Sequence, residues 1–145
     1  MQEIVKGHQK TAKIYKEKAV WLGTLLGGPL VTGYFISQNY KVFGEHEKAK
    51  QARAYSHIAT VLLLAFMFTI LDSVDTLGAF LPLSYTIISF YLVKHFQKKD
   101  MHQHLETGGA VFGWGRIITI GLIGLLIMMI VLLLIFLSME IYHRY

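Results

Sequence analysis

The stretch WLGTLLGGPLVTGYFISQ, Trp21–Gln38, carries no charge, yet three residues that interrupt helices, Gly27, Gly28 and Pro29, stand at its centre. If it runs straight it is long enough to cross a bilayer, which takes about 20 apolar residues at 1.5 Å each. If it breaks at Gly-Gly-Pro, residues 19–26 and 30–37 become two short helices of about 12 Å that turn back within the membrane. Glycine adopts backbone angles closed to other residues, and proline lacks the amide that continues a helix. The two readings put every later loop on different faces.

Three other segments frame the choice. Residues 117–138, IITIGLIGLLIMMIVLLLIFLS, form an uncharged run of 22 and predict a transmembrane helix. Residues 55–71 and 77–93 are uncharged runs of 17 joined only by DSVDT, Asp72–Thr76, which predicts an antiparallel helical hairpin. The composition agrees: 54% of residues are hydrophobic and 16% charged, with a mean hydropathy of +0.47. A soluble chain holds about 25% charged residues, and too few polar side chains remain here to cover a water-exposed bundle.

Charge asymmetry discriminates between the readings, because Lys and Arg close to membrane segments collect on the cytoplasmic side. Five lie before the first segment (Lys6, Lys10, Lys13, Lys16, Lys18), four between 39 and 54 and four between 94 and 116. None lies in the 72–76 turn, and only Arg144 follows the last segment. Four crossings divide them six against eight, with no bias; a re-entrant first segment divides them thirteen against one. The expected architecture is therefore all-α, a single membrane domain over residues 1–145. It has three transmembrane helices and a re-entrant segment at 19–38, with a kinked fourth span as the alternative.

Residues 1–18 place Met1, Ile4, Val5, His8, Ala12 and Tyr15 on one helical arc and Glu3, Lys6, Lys10, Lys13 and Glu17 opposite. That pattern predicts a basic amphipathic helix lying on an anionic membrane surface. The overlong polar start, without a small-x-small site after the apolar run, does not read as a cleaved signal peptide. Trp21, Tyr40, Phe43, Tyr55, Phe112 and Trp114 fall near segment ends, as an interfacial aromatic belt does.

Catalytic signatures are wanting. There is no cysteine, hence no disulfide and no thiolate site. The connection at 94–116 offers His95, Asp100, His102, His104 and Glu106; His102, His104 and Glu106 are the speculative metal ligands, without the spacing that defines a site. Its glycines lack the Gly-Lys-Ser/Thr ending of a phosphate-binding loop. No cofactor is expected. The net charge of +5 sits beside membrane segments and needs no nucleic acid to explain it. Ionisable groups are absent from the middle of every span, which argues against an ion-coupled transporter. Gly23 with Gly27, and Gly121 with Gly124, are spaced for close helix approach, within the chain or between copies.

Gly27-Gly28-Pro29-Leu30, then Tyr34, Asn39 and Gly44, resembles a motif of small uncharacterised bacterial multi-pass membrane proteins over about twenty residues. The resemblance implies the bacterial cytoplasmic (inner) membrane and brings no catalytic or binding residues with it. The expected function is non-enzymatic, an accessory, scaffold or immunity-type protein that binds the lipid bilayer and another membrane protein, with its N-terminus cytoplasmic. The alternative is self-association into a small channel or transporter.

Overall fold

The computed structural model describes residues 12–70 and 77–144. It is all-α apart from two short strands: β1 (Lys13–Ile14), α1 (Glu17–Val42), α2 (His46–Ile70), α3 (Leu77–Glu106), β2 (Ala110–Val111) and α4 (Trp114–Arg144). Residues 1–11 of the expected amphipathic helix and the 72–76 turn lie outside the described residues.

α1 is broken at Gly28, whose φ of 70° and ψ of −165° are open essentially only to glycine. Pro29 then starts the second half, where its missing amide hydrogen would have had no partner anyway. The halves, 17–27 and 29–42, run back alongside each other. Thr24 Oγ1 lies 2.7 Å from Thr32 Oγ1, whereas eight residues of straight helix would separate them by about 12 Å. At the open end the Tyr15 amide donates to Asn39 Oδ1 at 2.8 Å across 24 residues. Gly23 completes the fit, since a Cβ there would collide with the ring of Phe35.

This hairpin is the hub. α2, α3 and α4 each pack on α1 and, among the described residues, make few contacts with one another. α2 comes closest at Gly33, which lies against Ser56 and the Ala52 carbonyl, and α4 comes closest at Gly121 and Gly124. A Cβ on Gly124 would stand 3.1 Å from Gly27 Cα, so two backbones touch there without intervening side chains. All four glycines singled out for helix contact are thus used inside the chain.

Among the described residues two helices, α1 over Glu17–Val42 and α4 over Trp114–Tyr142, are long and apolar enough to cross a membrane. They differ in surroundings: 61% of the apolar window of α1 is buried, against 11% for α4. The length of α1 overstates its reach, because the reversal at Gly28 leaves halves of about 16 and 21 Å. The described part of the expected span at 55–71 lies in α2 and the span at 77–93 lies in α3, and among the described residues neither helix meets the same criterion.

Two expectations need correction. Residues 12–16 are not helical: Lys13–Ile14 form β1, which pairs in parallel with β2, Lys13 opposite Ala110 and Ile14 opposite Val111. Tyr15 is fully buried, its ring stacked between Phe35 at 4.0 Å and Phe112 at 4.3 Å. Burying that ring outweighs the modest benefit of a surface helix. In addition, residues 94–106 are not a loop but the continuation of α3, because Val93, Gln97, Met101 and His104 extend its buried stripe and no helix breaker intervenes. The helix ends when Gly108 takes a φ of +81°, with Gly109 N donating to His104 O and Gly108 N to Leu105 O.

Candidate functional site

Polar side chains share the inside of the bundle with an apolar core, and apolar ones cover much of its outside. Thr24, Thr32, Ser37, Asn39, Thr60, Thr86, Ser89 and Gln97 are all buried. Val61, Leu62, Ile88, Leu126, Leu133, Leu134 and Phe136 are each more than half exposed. Water-exposed apolar surface on this scale is abnormal for a soluble monomer.

The densest buried cluster closes the open end of the hairpin. Asn39, on the second half of α1, treats Tyr15 as a strand neighbour would: it accepts from the Tyr15 amide and donates Nδ2 to the Tyr15 carbonyl, both at 2.8 Å. Nδ2 also reaches Gln97 Oε1 at 3.1 Å and Met101 S at 3.8 Å, while Gln97 Nε2 donates to the Ile36 carbonyl at 2.9 Å. Two side-chain amides therefore tie α1, α3 and the N-terminal segment together. Their complementary donor and acceptor ends suit the task, because each amide oxygen and nitrogen finds at least one partner in the core.

Arg116 tightens the same end from α4. Its Nε donates to the Tyr15 hydroxyl at 3.1 Å and its guanidinium lies 4.4 Å from the Phe112 ring centroid. Burial pushes the Tyr15 phenol above its ordinary pKa, and the Arg116 hydrogen bond opposes that rise. Burial raises Tyr40 in the same way, with the Lys48 charge opposing. On the outer side of the hairpin, Arg53 of α2 donates Nε to Ser37 Oγ at 3.0 Å. Deeper in, Thr32 Oγ1 lies between Thr24 Oγ1 and Ser89 Oγ, the latter at 3.4 Å.

The speculative metal residues are separated. His102 and His104 are two apart on a helix and point to different sides. His104 is buried, with Nε2 3.1 Å from the Ala12 carbonyl and its ring packed against Gly109. His102 is exposed and pairs with Glu106 at 3.1 Å. Among the described residues no three His, Cys, Asp or Glu side chains gather as metal ligands would. His104 instead latches β1 to the end of α3.

Sequence reasoning missed Gln97, Tyr15 and Arg116 as partners. The available signal was Gln97 sitting on the apolar stripe Val93-Gln97-Met101, where an amide is costly unless matched. The chemistry of the arrangement is cohesive: hydroxyls and amides facing one another, with Glu45 Oε2 the one buried side-chain oxygen lacking a partner among the described residues. Comparison with known protein families, with curated proteins and with solved structures finds no match.

Proposed function

We propose that this chain is a non-enzymatic integral membrane protein that acts by binding another membrane protein. In this reading α1 is a re-entrant hairpin that enters from the cytoplasmic face and returns to it. α2, α3 and α4 are the three crossings, and the membrane is the bacterial cytoplasmic one that the Gly-Gly-Pro-Leu resemblance implies. The thirteen-to-one division of Lys and Arg supports this threading. So does the enclosure of the hairpin turn, since a broken helix in lipid must be covered by protein.

The observation that carries the partner-binding role is the state of α4 beyond Gly124. The hairpin tip ends beside Gly121 and Gly124. From Leu125 to Ile141 no residue of α4 is buried among the described residues, and most are exposed, over about 25 Å of helix. The buried polar side chains, by contrast, are engaged in internal hydrogen bonds, which supports the non-enzymatic reading.

Single cysteines at Lys13, Gly44 and Glu140 test the threading in intact cells with a membrane-impermeant thiol reagent, since no native cysteine competes. The expected result is labelling at Glu140 alone; Lys13 and Gly44 on opposite faces would refute the hairpin. A photo-crosslinking residue at Leu126 or Leu133 tests the role. A single distinct polypeptide at each position supports it, a crosslink to a second copy favours the channel alternative, and lipid adducts alone refute both.

A further inference from the structure

Two grooves lie along the first half of α1, the outer one facing the C-terminal half of α3 and the inner one bounded by α1, Phe90 of α3 and Trp114 of α4. The outer one, about 840 Å³, is lined by Lys16, Glu17, Lys94, His95, Lys98 and Lys99 among others. That volume lies within the roughly 300–1,000 Å³ of small-ligand sites. Four lysines face one carboxylate, and none of the four forms an ion pair among the described residues. The second groove, about 500 Å³, is lined by Lys18, Trp21, Leu22, Phe90 and Trp114. On both helices it lies one turn further in: Glu17 is followed by Trp21 on α1, and Lys94 by Phe90 as α3 is traced backwards. Its walls are almost wholly apolar.

We infer that the two grooves form a binding site for an anionic phospholipid, its phosphate headgroup held by Lys16, Lys94, Lys98 and Lys99 and an acyl chain lying between Trp21, Phe90 and Trp114. The inference rests on the membrane reading above. Charge and register argue for it together. Unpaired lysines above an apolar slot match a ligand that is anionic at one end and hydrocarbon at the other, and basic pockets between membrane helices on the cytoplasmic side take such headgroups. A free phosphate would need the outer groove only and leaves the inner one without a role.

The test uses the two native tryptophans, Trp21 and Trp114, both in the inner groove. The full chain is placed in zwitterionic phosphatidylcholine vesicles holding a minor fraction of bromine-labelled phosphatidylglycerol or bromine-labelled phosphatidylcholine, and fluorescence quenching is compared. The expected result is stronger quenching by the anionic lipid. Combining Lys16→Gln, Lys94→Gln, Lys98→Gln and Lys99→Gln should weaken that preference on the order of 100-fold, while Lys48→Gln with Lys50→Gln leaves it intact. Glu17→Gln, which removes the one opposing charge, should strengthen it and serves if the quadruple variant fails to fold. Equal quenching by both lipids, or a preference that survives loss of the four lysines, overturns the site. Loss of preference on adding inorganic phosphate, but not chloride at matched ionic strength, assigns the groove to free phosphate and overturns the lipid. Absence of quenching by either lipid overturns the membrane reading itself.

Discussion

Replacing Gly28 by alanine separates a reversed α1 from a straight one by the sign of the effect. Gly28 has φ 70° and ψ −165°, a region in which an L side chain costs about 1–3 kcal/mol. Space is not the obstacle, since the nearest atom to an added Cβ is Tyr85 Oη at 3.9 Å. The cost of Gly28→Ala is therefore a backbone cost, expected at about 1–3 kcal/mol of stability. In a continuous helix the same change would stabilise by about 0.8–1 kcal/mol, the propensity difference between alanine and glycine. Pro29→Ala extends the test. Proline at the first position of the second half-helix is well placed, so its loss should change stability by under about 1 kcal/mol. In a straight helix its removal would gain up to about 3 kcal/mol. Reversible unfolding of the purified protein in mixed micelles, followed by circular dichroism, reads both. A more stable Gly28→Ala protein, or a gain of several kcal/mol from Pro29→Ala, would refute the reversal.

Asn39→Ala strands the Tyr15 amide, the Tyr15 carbonyl and Gln97 Oε1, so it should destabilise by about 2–5 kcal/mol. Its effect should be non-additive with Gln97→Ala in a double-mutant cycle by at least about 0.5 kcal/mol. Gly124→Leu drives a side chain into Val31 and the Gly27 backbone and should cost about 2 kcal/mol or more. Gly115→Ala, with open space around it, should stay within about 0.5 kcal/mol of the parent in the same unfolding assay. Tyr15 has its folded pKa raised above the ordinary 10.0, so above that pH the unfolded chain releases a proton the folded one retains. Stability should be undiminished below pH 10 and fall as pH rises through the folded pKa, and Tyr15→Phe should shallow that fall in unfolding midpoints taken across it.

The apolar runs by themselves determined that the chain is helical and where the apolar parts of its helices lie, because periodicity and length are local properties, but not that α2 starts at His46 or that α3 runs on to Glu106. Gly27-Gly28-Pro29 likewise announced a break within the first segment, through backbone angles that only glycine tolerates and an amide that proline lacks. How that break is used was a tertiary matter. Gly23 beneath Phe35, Gly33 against Ser56 and Gly124 against Gly27 make room for a hairpin packed on α2 and α4, and no local signal distinguishes this from a kink. The N-terminal segment shows the limit most clearly. Its charges and apolar residues alternate as an amphipathic helix would, yet residues 12–16 are not helical, because two rings, one from α1 and one beyond β2, sandwich Tyr15. The polar clamp was hidden for the same reason. Asn39 and Gln97 are 58 residues apart, and an amide shows itself as a structural partner only when folding brings its complement within hydrogen-bond reach.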